Sequence, residues 1–212
     1  MITDSLGPVS FGLFLLAVLG TFALGAAFVL ALLLKQPVWI RWIARVEVAG
    51  VALYTVLFLG ASLTSKTREL APGVEKHICE VDCHLAYAVT GVDTTTTYQG
   101  RTARGVFTVV AVRIRFDSNT IASWRPRDLP LSPNGRTVAL IDATGRRYPV
   151  AADSLDRSLI PGQSYTTHFV FDVPADASDL RLTLASGDWP THLMIGHENA
   201  FLHGKVLFRL PA

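Results

Sequence analysis

The chain has 212 residues, a length that suits one domain or one domain with an appendage. Hydrophobic residues make up 50% of it, and its mean hydropathy of +0.37 is high for a soluble protein, which favours attachment to a membrane. The formal net charge is only +2 and the arginines form no basic stripe, so the composition excludes nucleic acid as a predicted partner.

The N-terminal part, 1–65, predicts a transmembrane helical hairpin. No charged residue occurs over 5–34, which exceeds the roughly 20 residues that an α-helix needs to span a bilayer. A second uncharged run covers 48–65, and Trp39 and Trp42 precede it at positions typical of an aromatic belt. We therefore predict two transmembrane helices that contact the lipid bilayer.

The loop between the two predicted helices sets their orientation. It carries Lys35, Arg41 and Arg45 against one acidic residue, Glu47. Because cytoplasmic loops are enriched in Lys and Arg, this loop is predicted to be cytoplasmic and both ends of the hairpin to lie outside. The predicted localisation is the inner membrane of a bacterial cell, with the C-terminal domain in the periplasm.

Residues 66–83 predict a membrane-proximal linker that ends in a Cys/His loop. Both cysteines of the chain, Cys79 and Cys83, lie between His77 and His84. In an extended strand, residues four apart are separated by about 13 Å, which is too far for a disulfide or a shared metal ion. For the two sulfurs to meet, this loop has to form a turn.

The donor set of the loop predicts a transition-metal site. Thiolates and imidazoles suit copper and zinc, and a methionine favours copper, so a copper ion is the predicted cofactor. The predicted metal ligands are Cys79, Cys83, His84 and His77, together with Met194 and His203 from a second His-rich stretch near the C-terminus.

The same residues leave two alternatives open. In an oxidising compartment, Cys79 and Cys83 would form a disulfide, and the site would then hold no cofactor. Alternatively, Cys79, Cys83 and His84 form a c-type haem attachment sequence that is one residue longer than the usual Cys-x-x-Cys-His.

Residues 84–212 predict an extracytoplasmic β-sandwich domain. Apolar residues alternate with more polar ones over 106–116 and 164–173, the period of a strand with one buried face. Shorter alternating runs cover 180–184 and 206–210, and Gly or Pro marks the reversals between runs. Short strands without a long helical pattern indicate an all-β antiparallel sandwich.

Two stretches of this domain resemble a known group of proteins. The run over 138–148, and Pro161-Gly162 leading into 169–174, resemble the telokin-like, immunoglobulin-like extracytoplasmic domains of bacteria. The resemblance covers about 84–210. It implies an immunoglobulin-like sandwich and carries no function with it.

The architecture also resembles subunit two of the haem-copper oxidases. Those proteins have two N-terminal helices and an outward β-domain, whose dinuclear copper centre uses a Cys-x3-Cys loop, a glutamate, two histidines and a methionine. In that family the loop lies late in the domain, whereas here Cys79 and Cys83 precede the strands and His84 directly follows Cys83. The resemblance therefore implies copper chemistry by analogy.

Together these features predict a non-enzymatic accessory subunit of a membrane complex. The sequence contains no Ser nucleophile elbow, phosphate-binding Gly loop or paired carboxylates. The predicted partners are integral-membrane proteins, for example those of a respiratory or photosynthetic electron-transfer complex. If the cysteines form a disulfide, the predicted role is structural or in assembly.

Overall fold

Two long helices begin the chain, and short strands follow them. The computed structural model of the protein describes residues 7–78, 84–121, 126, 128–133, 135–151 and 155–210. The chain forms two compact units. One contains Thr67–Trp189 and Lys205–Ala212, and the other contains Leu6–Lys66 and Pro190–Gly204.

The helices are α1, Gly7–Leu33, and α2, Pro37–Thr64. Both are long and apolar enough to cross a membrane. A short turn joins them, in which Lys35 adopts the left-handed conformation with φ of 52° and its N–H donates to the carbonyl oxygen of Leu32. A left-handed residue after the last turn is a common way to end a helix.

The second helix begins earlier than the uncharged run over 48–65 predicts. Arg41, Arg45 and Glu47 lie on α2, and Pro37 stands at its start. Proline lacks an N–H, and the first N–H groups of a helix have no partner within it, so proline is well tolerated at this position. The charged residues therefore belong to the hairpin itself.

Nine strands occur in the described residues. They are β1 (Arg68–Leu70), β2 (Lys76–His77), β3 (Leu85–Tyr98), β4 (Arg101–Phe116), β5 (Arg136–Ile141), β6 (Arg147–Pro149), β7 (Ser164–Val173), β8 (Arg181–Ser186) and β9 (Val206–Arg209). The alternation over 106–116 and 164–173 predicted the strands that appear as β4 and β7.

The described strands form two sheets. One has the order β2-β3-β4-β7, with neighbours antiparallel, and the other has the order β1-β9-β8-β5-β6. In the second sheet β1 runs parallel to β9, whereas the other pairs are antiparallel. This domain is therefore a β-rich sandwich with largely antiparallel sheets, as predicted.

Apolar side chains from both sheets fill one core. Its most deeply buried large residues include Tyr87 on β3, Phe116 on β4, Phe169 on β7, Leu182 on β8 and Phe208 on β9. Burial of this kind contributes roughly 1.5–3 kcal/mol per large side chain before the entropic cost of ordering it. The core fixes the open end of the long β3–β4 hairpin, where Leu85 pairs with Phe116.

A buried lysine links the two sheets. Lys76 on β2 donates from Nζ to the carbonyl oxygen of Leu184 on β8 at 2.7 Å and to that of Val206 on β9 at 3.2 Å. A buried ammonium group is tolerated where hydrogen-bond acceptors surround it. This contact holds β2, and with it the end of the sheet that carries the Cys/His loop, against the opposite sheet.

Candidate functional site

The candidate site lies where β2 and β3 meet. The backbone N–H of Ile78 donates to the carbonyl oxygen of Leu85 at 3.4 Å, and His77 pairs with Ala86 in the antiparallel ladder. Residues 79–83 lie outside the described residues. Every prediction about the sulfurs of Cys79 and Cys83 therefore stays a prediction.

His77 is buried at this end of the sheet, with a side chain that is 0% exposed. Its Nε2 lies 3.6 Å from Oδ2 of Asp117, which is longer than a hydrogen bond. Among the described residues, neither ring nitrogen has a hydrogen-bond partner. An imidazole that is buried in this way is unusual, because burying a polar group without a partner costs free energy.

Two arginines of β4 form a network of ion pairs near His77. Arg115 donates to both carboxylate oxygens of Glu75, at 2.9 Å from Nε and 2.6 Å from the terminal nitrogen. It also donates to Oδ2 of Asp117 at 3.3 Å. Arg113, two residues before Arg115 on β4, also donates to Glu75, at 3.2 Å. Each buried or half-buried carboxylate at this end therefore has a basic partner.

These surroundings move the acid–base equilibria of the site. The hydrogen bond from Arg115 lowers the pKa of Glu75. Burial tends to raise the pKa of Asp117, but hydrogen bonds from the Asn119 N–H and from Arg115 outweigh it and the net shift is downward. Burial lowers the pKa of His77, against the opposing attraction of Asp117 and Glu75. At neutral pH both carboxylates are charged and His77 is neutral.

The hydrogen bonds of His84 define its tautomer. Its Nδ1 lies 2.7 Å from Oγ1 of Thr120, and that hydroxyl donates to the carbonyl oxygen of Asp117 at 2.8 Å. A hydroxyl has a single hydrogen, so Nδ1 of His84 has to supply the proton of the first bond. In the neutral ring the lone pair is then on Nε2. A hydrogen bond of this type on one nitrogen is the usual support for a histidine that binds metal through the other.

His77 lies on β2, and His84 directly precedes β3, the strand that pairs with β2. The ring of His84 stacks on Phe116, with centroids 5.3 Å apart, and its carbonyl oxygen accepts from the N–H of Asp117 at 2.8 Å. Asp117 therefore contacts His77 through its carboxylate and His84 through its backbone N–H. The structure brings these two predicted ligands to one end of one sheet.

Met194 and His203 belong to the unit that contains the helices. Met194 is buried, and Nδ1 of His203 donates to the carbonyl oxygen of Gly204 at 2.7 Å. Within the ranges that the structure describes, no group of three or more His, Cys, Asp or Glu side chains is arranged to hold a metal ion. Metal binding by Met194 and His203 stays a prediction.

Sequence reasoning did not identify Glu75, Arg115, Asp117 and Thr120 as parts of the site. Glu75 and Arg115 are separated by 40 positions, and only the register of β2, β3 and β4 brings them together. One signal was present in the sequence: Arg113 and Arg115 share the more polar face of an otherwise apolar strand. Charges on a strand that borders a Cys/His loop indicate a polar site at its end.

Two solved structures are similar to part of this chain. The secreted protein MPT63 from Mycobacterium tuberculosis has a TM-score of 0.45 and 12% identity, and the match covers 69% of this chain and 99% of that one. The yjhA protein from Bacillus subtilis has a TM-score of 0.40 and 15% identity, with coverages of 66% and 98%. No protein-family model and no curated protein sequence matches the chain. At these values neither neighbour transfers a function to this chain.

Proposed function

We propose that this protein is a membrane-anchored accessory subunit that holds an immunoglobulin-like β-sandwich in the bacterial periplasm beside an integral-membrane partner. In this proposal the chain catalyses no reaction by itself. The observation that carries it is the exposure of apolar side chains on all sides of α1, which requires lipid or another protein to cover them.

The exposed residues of α1 do not share one face. At about 100° per residue, Leu13 and Phe22 point in opposite directions, and Leu32 points between them. All three are exposed, and Phe22 reaches 74%. A helix that is apolar all round suits the interior of a membrane. The helix has 27 residues and is about 40 Å long, which exceeds the roughly 30 Å of the hydrocarbon core.

The charge distribution supports the proposed orientation. Lys35 lies in the turn between the helices, and Arg41 and Arg45 lie in the first turns of α2. Basic residues at this end favour the cytoplasmic side, because loops rich in Lys and Arg are retained there. The opposite ends of both helices, and the β-sandwich that follows α2, would then lie outside the cytoplasm.

The accessory role is tested by purifying the full chain from its native membranes in mild detergent. We expect an integral-membrane protein to co-purify in fixed stoichiometry. A control chain, in which 1–65 is replaced by an unrelated two-helix anchor, should lose this partner but stay in the membrane. Release of the native chain from the membrane by alkaline carbonate would contradict membrane anchoring. Purification of the native chain without any partner protein would contradict the accessory role.

A second function, binding of a copper ion at the end of the β2–β3 pair, is supported by the two imidazoles. His84 presents the tautomer with its lone pair on Nε2, and His77 has two buried nitrogens without a hydrogen-bond partner in the described residues. Cys79 and Cys83 are the predicted donors that would complete the site. Copper accepts this mixture of nitrogen and sulfur ligands.

The metal proposal is tested on the full chain purified under mild reductant. Copper titration should give about one bound equivalent with a thiolate-to-metal absorption band, and Cys83→Ser and His84→Phe should each abolish that band. His168→Phe, at an exposed position on β7, is the matched control and should keep it. Thiols that alkylate only after reduction would instead support a Cys79–Cys83 disulfide, and a Soret band would support haem.

A further inference from the structure

The segment Pro190–Gly204, which connects β8 to β9 in sequence, belongs to the same unit as α1 and α2. The hydroxyl of Tyr54, on α2, donates to the carbonyl oxygen of Leu193 at 2.7 Å. At the C-terminal end of the segment, the N–H of Gly204 donates to Oγ of Ser65 at 2.6 Å. The segment therefore runs along α2 from the level of Tyr54 to the end of the helix.

The position of Tyr54 gives the depth of the segment. Tyr54 lies ten residues before the end of α2 at Thr64, about 15 Å along the helix axis. The helix has 28 residues and is about 42 Å long, so about 12 Å of it extends beyond a hydrocarbon core of about 30 Å. If the whole excess of about 12 Å were at the C-terminal end of α2, Tyr54 would still lie inside the hydrocarbon core, because it is about 15 Å from that end. Leu193, which is hydrogen-bonded to Tyr54, would lie there too.

The outward side of the segment at this depth is apolar. The N–H of Phe201 donates to the carbonyl oxygen of His192 at 3.2 Å. Because His192 directly precedes Leu193, this bond keeps the backbone of Phe201 close to Leu193. Phe201 is 51% exposed and Leu202 is 69% exposed. Exposed apolar side chains beside a transmembrane helix are the composition that a lipid environment selects.

The inward side of the segment is polar and hydrogen-bonded within itself. Asn199 donates from its side chain to Oγ1 of Thr191 and from its backbone N–H to Nδ1 of His197, both at 3.1 Å. All three residues are buried. Non-helical backbone is tolerated at membrane depth when its polar groups are satisfied inside the protein. The segment thus exposes apolar side chains, and these buried polar groups form hydrogen bonds with one another.

We propose that Pro190–Gly204 is a re-entrant segment, immersed in the leaflet that holds the C-terminal end of α2, with Phe201 and Leu202 in contact with lipid acyl chains. This inference rests on the proposed membrane anchoring by α1 and α2. It adds a third lipid contact, supplied by a connection between two strands of the β-domain. The occupant of this surface is the acyl-chain region of the bilayer.

The test is photo-crosslinking of the full chain in vesicles of phosphatidylethanolamine and phosphatidylglycerol. A benzophenone-bearing phenylalanine analogue replaces Phe201, where the exposed ring leaves room for the added benzoyl group, and in a second variant it replaces Leu202. Phe22 on α1 is the positive control, because it is also a highly exposed phenylalanine. Ile160, which is 40% exposed in the β-domain, is the negative control. After irradiation, lipid adducts are counted by mass spectrometry.

We expect lipid adducts at Phe201 and Leu202 in yields close to that at Phe22 and at least about tenfold above that at Ile160. Adducts at Phe22 without adducts at Phe201 and Leu202 would overturn the re-entrant segment and leave the membrane anchor intact. Crosslinks from Phe201 and Leu202 to protein alone would likewise overturn the re-entrant segment. A lack of adducts at Phe22 would overturn the anchor and the segment together.

Discussion

Arg115 binds Glu75 through two parallel hydrogen bonds, of 2.9 Å from Nε and 2.6 Å from a terminal nitrogen. The same guanidinium group also reaches Asp117 at 3.3 Å, so one side chain forms hydrogen bonds with two carboxylates at the end of the sheet. Forked pairing of this kind holds both partners in one geometry, which a lysine cannot reproduce. The surroundings of His77 and His84 therefore depend on Arg115.

Replacing Arg115 should destabilise the protein. In Arg115→Ala, the buried Asp117 loses its arginine partner, and the half-buried Glu75 keeps only its contact with Arg113. We expect the free energy of unfolding to fall by about 1–3 kcal/mol, discounted because the arginine itself is partly exposed. Arg113→Ala removes one contact of 3.2 Å from a more exposed side chain and should cost less than about 1 kcal/mol. Urea unfolding of both variants in detergent measures the difference, and equal losses would contradict the special role of Arg115.

The stability of the protein should fall as the pH is lowered past the ordinary pKa of histidine. Burial lowers the pKa of His77 in the folded protein. The unfolded chain then binds a proton near pH 6.5 that the folded chain does not, so His77 contributes its stability above about pH 6.5 and loses it below. Asp117, Glu75 and Arg115 face His77, and their charges do not reverse this direction.

The check compares urea midpoints of wild type and His77→Phe at about pH 7.5 and about pH 5.5. The wild-type midpoint should drop at the lower pH, and the phenylalanine variant should drop less because it has no imidazole to protonate. His168→Phe, at an exposed position, controls for the change of side chain. An identical pH response in wild type and His77→Phe would refute the prediction.

Gly105 on β4 should not tolerate a side chain. A methyl group added there would overlap the carbonyl oxygen of Val173 and lie 2.8 Å from Cα of Pro174, so the backbone of β7 would have to move. We expect Gly105→Ala to destabilise by about 1–3 kcal/mol or more. Gly91→Ala is the matched control, since its methyl group would meet Cβ of Ala111 at an ordinary 3.8 Å. Thermal unfolding distinguishes the two, and similar melting temperatures would contradict the close approach at Gly105.

Removing the hydroxyl of Tyr54 should loosen the segment Pro190–Gly204. Tyr54→Phe deletes the hydrogen bond to Leu193 and preserves the ring, at a cost of about 0.5–1.5 kcal/mol. Amide hydrogen exchange within the segment should then become faster. Thr55→Val deletes a hydroxyl that bonds within α2, to Val51, and should leave exchange in the segment unchanged. Unaltered exchange in Tyr54→Phe would argue against this attachment.

Local patterns in the sequence predicted most elements of the fold. The uncharged run over 5–34 predicted α1, and the two-residue period predicted β4 and β7, because burial on one face leaves that period in the sequence. The start of α2 was placed too late, since the uncharged run begins at 48, whereas the helix begins at Pro37, a residue that the first turn tolerates. The strands β1 and β2, with three and two residues, are too short to show a period.

The neighbours of His77 and His84 were harder to predict than the strands, because most of them are distant in sequence. His77 and His84 are close in sequence, and the structure brings them to one end of a sheet. The partners Arg115 and Asp117 come from β4 and the turn after it, and nothing local marks their approach. The contact between Tyr54 and Leu193 joins residues 139 positions apart, so no local pattern indicates that the His-rich stretch near the C-terminus lies against a helix.

The parallel pair β1–β9 has a consequence for biogenesis. Arg68 and Glu69, just after α2, align with Val206 and Leu207, so β1 pairs with a strand that is synthesised much later. Until β9 is made, β1 lacks its neighbour in this sheet and stays an unpaired strand. A chain released before β9 is made would keep that edge open, and open edges recruit strands from other molecules. A chain that ends before β9 should therefore aggregate more readily than the full chain.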